Sequence, residues 1–254
     1  MKVYKYLPIS FGSQAILIDG TLKFSSHKDF NDPFDCIVSY NTEASLSYLK
    51  SRKDLFLKAS EHLKLSPSRR IENKNKMYKG IENSITSGDF HKDIIDRIGI
   101  CCFSKKPDNI LMWSHYAHNH TGFVIEFDID LNDPTLNLYN SESNLIGYDI
   151  VYKDEMPIIK VGEGSFDAVK DVFLTKSNDW SYEQEYRVLT RNKGPGIHDF
   201  NLNKINKIIF GVKTSGKDIE RLTQIVNDLS QKLKKDIPII QAKMVEGKYK
   251  LKVD

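Results

Sequence analysis

The sequence has little of what would assign it to a specialised class. It has only three cysteines, Cys36, Cys101 and Cys102. The number is odd, and the vicinal pair is poorly placed to bridge, because neighbours on a strand point to opposite faces. A disulfide scaffold is therefore not expected. No stretch approaches the roughly 20 apolar residues that a membrane span requires, and the opening MKVYKYLPIS lacks the long apolar run of a secretory signal. These two absences give the expectation of a cytoplasmic protein with no membrane partner. A dominant charge is missing too, with 37 Lys and Arg against 34 Asp and Glu and a net charge of +3, so bulk charge does not announce a nucleic-acid binder. Lysines do gather in KKPDN, QKLKK and KYKLK. These read chiefly as solvated faces, with a phosphate-tracking surface as the alternative. No internal repeat is visible.

The chain does have 254 residues, 40% of them apolar, enough to bury a core. The reading is one α+β domain over 1–254, with a mostly antiparallel sheet and a helical insertion over 42–97. Val3 to Leu7 and Thr21 to Ser25 alternate as strands, and between them Ser10 can cap a short helix that stops at Gly20. FNDPF, 30–34, is a turn whose two aromatics are expected to anchor it. Its Asn31 and Asp32, with Asp35, are a lesser candidate site beside the plainer reading of a self-bonded turn. From Thr42 to about Arg97, Leu46, Leu49, Leu55, Leu63 and Leu65 suggest helices, with the polar run 66–76 as a crossing between them. Strands return at 98–104, 122–128 and 145–152. Asp108 is a plausible cap for a helix carrying Trp113. A helix over about 165–176 precedes Trp180, which reads as core, and the strand EYRVLT. The tail gives the strand KIIFG, an amphipathic helix over 217–234 and a closing pair of strands. Strands that mostly follow strands favour α+β over a doubly wound sheet.

Three groups of residues could carry chemistry. Glu183, Glu185 and Arg187 alternate, so on a strand they would share one face. Two carboxylates beside a guanidinium suit a site that handles developing positive charge, and an ion-pair row on a solvated face is the structural alternative. His115, His118 and His120, near Asp108, Glu126 and Asp128, contain metal-ligand chemistry. On a helix, however, only His115 and His118 share a face, so the plainer reading is His115 hydrogen-bonded inside the fold with His118 and His120 in a solvated loop, and no metal is expected. GVKTSGKD, 211–218, has phosphate-loop spacing, but Asp218 stands where a hydroxyl should hold magnesium. A helix start capped by Thr214 or Ser215 is favoured. Met112, Trp113, Tyr116, Phe123 and Phe127 read mainly as core.

The runs YKY, TLKFSSHKDFNDPFD, CFSKKPDNILMWSHYAHNHTGFVIEFD and WSYEQEYR, in this order, resemble the prokaryotic family called domain of unknown function 2971. More distantly, the order of pieces is similar to that of ADP-ribosyltransferases, which clamp NAD between two small sheets. That resemblance implies NAD as substrate, handled by Tyr4, Lys5 and Tyr6 on the first strand. It also places Ser104 of CFS, with Trp113, His115 and Tyr116 on the helix that follows, around nicotinamide. In the same comparison Glu183-Gln184-Glu185 looks like an E-x-E motif. Glu185 would then stabilise the oxocarbenium-like ribose while Glu183 addresses the acceptor. Tyr6 or Tyr116 would stack on nicotinamide, and Arg187 or Lys5 would pair with pyrophosphate. The expected activity is transfer of ADP-ribose to an unidentified protein or nucleic acid, or NAD hydrolysis, in a toxin or phage-defence effector. Two alternatives stay open: a metal-dependent nuclease or phosphodiesterase using the His115–His120 cluster, and a non-catalytic nucleic-acid or protein-binding module that uses lysines such as Lys232, Lys234 and Lys235.

Overall fold

The computed structural model describes residues 1–137, 140–159, 161 and 166–253. They form a mixed α+β protein with two compact units. The first gathers Met1–Asp29, Ile98–Ile150 and Asn178–Asp254, and the second Phe30–Arg97 and Val151–Ser177.

The first unit is built on a seven-stranded sheet. From one edge to the other its strands are Ile239–Gln241, Ile205–Phe210, Phe123–Asp128, Lys2–Leu7, Gly99–Ser104, Glu185–Thr190 and Tyr148–Asp149. All pairings are antiparallel except that of Ile239–Gln241 with Ile205–Phe210. Alternation sends Val3, Cys101, Phe103, Ile125, Phe127 and Val188 to one face. There they meet Leu17 of the helix Phe11–Ile18 and Leu222, Val226 and Leu229 of the helix Gly216–Leu233, whose spacing makes one apolar stripe. Each such fully buried side chain contributes about 1.5–3 kcal/mol. On the opposite face Tyr4, Tyr6, Val124 and Ile209 pack with Met112, Trp113 and Ala117.

The helix starts at Ser10 and Ser215 are capped as the sequence suggests. Ser10 and Ser13 form a reciprocal capping box, and the Ser215 hydroxyl accepts from the Asp218 amide at 3.2 Å. GVKTSGKD is thus a capped helix start. Two strand expectations need correction. Residues 145–152 are not one strand, because Tyr148–Asp149 forms the sheet edge and Val151–Lys153 pairs with Thr175–Ser177. The closing pair expected around IPIIQAK and KYKLKV forms only in part, since Lys243–Met244 pairs with Leu251–Lys252 while Ile239–Gln241 joins the large sheet.

The second unit holds the helices Thr42–Ser51, Lys53–His62, Pro67–Thr86, Lys92–Ile95 and Phe166–Leu174, with Leu49, Ile85 and Val161 in one apolar cluster. The polar run 66–76 is not a crossing. It is the first half of the helix Pro67–Thr86, started by Ser66, which accepts from the Arg69 amide, and by Pro67 in the first turn. FNDPF is also corrected: Phe34 is 67% exposed and anchors nothing. The turn is held instead by the Asp32 carboxylate, which accepts from the Phe34 amide at 2.9 Å. Beside it the buried pair Asp35–Lys176 lies at 3.5 Å. Among the described residues no helix is long and apolar enough to cross a membrane.

Candidate functional site

The site of interest lies on the sheet face that carries Tyr4. Tyr4 is the cross-strand partner of Ser104, and Ser104 is the partner of Glu185. Directly opposed residues point to the same face, so Tyr4, Ser104 and Glu185 form one row across three adjacent strands. Tyr6, Cys102 and Arg187 follow two positions along, and Cys102 opposes Arg187. All three row members are at least nine-tenths buried.

Glu185 and Arg187 form a bidentate pair, with Arg187 Nε donating to Oε1 at 2.8 Å and a terminal nitrogen donating to Oε2 at 3.0 Å. Arg187 is completely buried, so the pyrophosphate role expected of it does not fit its position. Burial pushes the Cys102 thiol well above its usual range, and the Glu185 charge adds to that push. Burial, reinforced by Glu126, pushes the Tyr4 phenol up to about 12, so it stays protonated. Gly147 brings the sheet edge close to this strand, since a Cβ there would collide with the Arg187 carbonyl oxygen.

Glu183 departs from the expected arrangement. The strand begins only at Glu185, while Glu183 closes a 3-10 turn over Asn178–Glu183. Between them Gln184 takes a left-handed conformation at φ 43°, which breaks the alternation that would have aligned the two glutamates. Glu183 is buried and accepts from the Tyr116 hydroxyl at 2.6 Å. The Ser104 hydroxyl donates to the Glu183 carbonyl at 2.6 Å, and the Lys105 amide donates to the Gln184 carbonyl.

The loop over 105–109 is fixed from several sides. Tyr6 donates to the Lys106 carbonyl at 2.7 Å, Trp113 Nε1 to the Pro107 carbonyl at 2.8 Å, and Asn109 Nδ2 to the Tyr182 carbonyl at 2.8 Å. Asn109, not Asp108, caps the helix Ile110–Tyr116. Trp113 is fully buried and Tyr6 packs edge-on against it. These two are core supports, not surfaces open for nicotinamide. Lys5 points to the other face of the sheet, where Nζ donates to the Cys102 carbonyl at 3.0 Å and lies over the Phe103 ring. Trp180 is half-buried and tilted against Tyr182.

The histidines take separate partners. His115 Nδ1 lies 3.2 Å from the Tyr182 hydroxyl, and His120 Nε2 lies 3.2 Å from Ser114 Oγ. His118, Asn119 and His120 all have positive φ, costing about 1 kcal/mol or more each. They are held by bonds from the Asn119 and His120 amides to Ser114 and Trp113 and from the Lys213 amide to His120. Burial alone would raise the Glu126 carboxyl, but hydrogen bonds from Lys2 and Asn206 outweigh it and hold the group below its usual range. Among the described residues no group of three or more His, Cys, Asp or Glu could hold a metal ion.

Residues 112–188 match the family model described as protein of unknown function (DUF2971). Over this segment the chain resembles that family. The DUF2971 match runs from the helix carrying Tyr116 to the strand carrying Arg187, and so includes both glutamates while leaving Tyr4 and Ser104 outside. No curated protein and no solved structure matches the chain.

Four residues at this site escaped sequence reasoning. Asn109 and Tyr182 tie the loop to the glutamate turn. Gln184 and Tyr249 line an open cleft of about 390 Å³ together with Lys106, Asp108 and Lys250. A tyrosine set between lysines in KYKLK is the one signal the sequence carries.

Proposed function

We propose that this chain is an ADP-ribosyltransferase-like enzyme acting on NAD, with its chemistry centred on Glu185 and Glu183. The observation that carries the reading is the row Tyr4, Ser104 and Glu185. The three segments that resemble the transferase pieces are far apart in sequence, yet they are adjacent and in register in the sheet.

The residues suit the chemistry. Breaking the bond between nicotinamide and ribose sends its electron pair to nicotinamide and leaves a cationic ribose, which a fixed carboxylate stabilises. Arg187 fixes the orientation of Glu185, and Tyr116 fixes that of Glu183. In this reading Glu183 receives the proton released when an acceptor or water attacks the ribose. Gln184, between the two glutamates, lines the open cleft, so in this reading the ribose approaches there. The split-sheet NAD clamp, a cytoplasmic location and a role as a toxin or phage-defence effector belong to the same reading and rest on the resemblance.

Nicotinamide release and NAD binding test it, with wild type beside Glu183→Gln and Glu185→Gln. Loss of a catalytic electrostatic group should lower release by about 10²-fold or more, with NAD binding retained in Glu183→Gln. Circular dichroism separates loss of chemistry from loss of fold. Absence of both NAD binding and release in the folded wild type would exclude the proposal.

A further inference from the structure

The cleft beside Gln184 carries a combination that neither glutamate explains. Its lining includes Lys106, Lys250, Gln184, Tyr249 and Asp108. Tyr249 is completely exposed. A tyrosine ring left wholly in water has no stabilising role in the fold, because it removes no apolar surface from solvent. Lys106, Lys250, Gln184 and Tyr249 are also uncommitted: among the described residues none of their side chains makes a hydrogen bond or ion pair. Neighbouring Lys105 behaves differently, pairing with Asp149 at 3.0 Å. Lys235, from the other lysine-rich segment, spends its ammonium on the carbonyls of Asn203 and Ile205.

We infer that this cleft binds single-stranded nucleic acid, with Tyr249 as a stacking platform for a base and Lys106 and Lys250 on the adjoining phosphates. Any base offers a π-face to an exposed tyrosine, and ammonium groups follow a phosphate chain without fixing its sequence. Gln184 can address a base edge with its free amide. The hairpin that presents Tyr249 is anchored by Leu251, which is buried among the residues around Trp113. Its platform is therefore held while its tip stays open. Two cations against one carboxylate give the cleft a positive balance although the whole chain is near neutral. The inference stands without NAD chemistry. If both readings hold, the bound strand lies beside Glu183 and Glu185.

Fluorescence anisotropy with a labelled twelve-nucleotide oligo(dT) or oligo(U), titrated at several salt concentrations, tests it. Tyr249→Ala should weaken binding about tenfold with an unchanged salt slope. Replacing Lys106 and Lys250 together by glutamine should reduce the slope of log K against log salt by about 1.4. All three residues are at the surface, so melting curves should not move. Binding that neither variant alters would overturn the inference. So would no binding at low salt, or equal affinity for a polyglutamate peptide of matched charge, which would mark an anion-binding or protein-binding surface.

Discussion

At the scale of single residues, the Glu185–Arg187 pair is the feature most exposed to test. It is bidentate and buried, so its attraction is set against the cost of removing two charges from water. Removing one partner from such a pair typically costs about 3–5 kcal/mol, whereas replacing both by apolar groups of similar volume is often neutral. Glu185→Gln alone should therefore lower stability to chemical denaturation by about 3 kcal/mol or more. Adding Arg187→Met should recover much of that loss. Equal stability of the single variant and wild type would mean that the pair is not structural, and any activity lost with Glu185 would then be read as chemistry alone. The same two residues show what spacing reveals. Their alternation was legible and correctly gives a shared face. Glu183, two positions earlier, leaves that face because of the left-handed bend at Gln184, which goes with tertiary bonds of its neighbours and which glutamine does not announce as a residue type.

At the scale of elements, a histidine joins two parts of the second unit. The Tyr40 hydroxyl, on the strand Ser39–Tyr40, lies 2.9 Å from His91 Nδ1 and accepts from the His91 amide at 3.2 Å, with the two rings stacked. Burial lowers the His91 pKa, so the folded protein binds this proton less readily than the unfolded chain. The stability it protects is fully present above the ordinary histidine value of about 6.5 and is lost as pH falls through the lower folded value. Denaturation midpoints should therefore fall between about pH 7.5 and pH 5.5, and less so in His91→Gln. His120, lowered by burial and by Lys213, would supply part of the remainder. An identical fall in wild type and variant would rule out His91 as the cause. Elements with clear period or punctuation were read well: the strands carrying YKY, CFS and EYRVLT, and the helix starts at Ser10 and Ser215. In the run 66–76 polarity suggests a loop. Yet the helix Pro67–Thr86 buries only Ile85, and a helix that buries so little has no apolar stripe to display.

At the scale of the molecule, the chain passes back and forth between its two units, since each is assembled from separated segments. Their local stabilities should differ for a reason visible in the burial pattern. The strand Phe123–Asp128 is flanked on both sides by hydrogen-bonded strands, and every residue of it except Asp128 is buried. The helix Pro67–Thr86 has one buried side chain in 20 residues, and Lys53–His62 has one in 10. Amide exchange follows local opening, which is easiest where few side chains must be exposed to water. The central strand should therefore exchange near the global unfolding limit, while the amides of these two helices exchange through local opening, faster by at least two orders of magnitude, a gap of about 2.8 kcal/mol. Hydrogen exchange read by mass spectrometry resolves the two regions. The register that aligns Tyr4, Ser104 and Glu185 belongs to this same slowly exchanging sheet, and sequence could not reveal it because those residues are about 100 and 80 positions apart. Comparable protection in helices and strand would show that the second unit's stability comes from contacts other than its own buried side chains. It would also remove the reason for treating the sheet as the rigid frame on which the two glutamates are held.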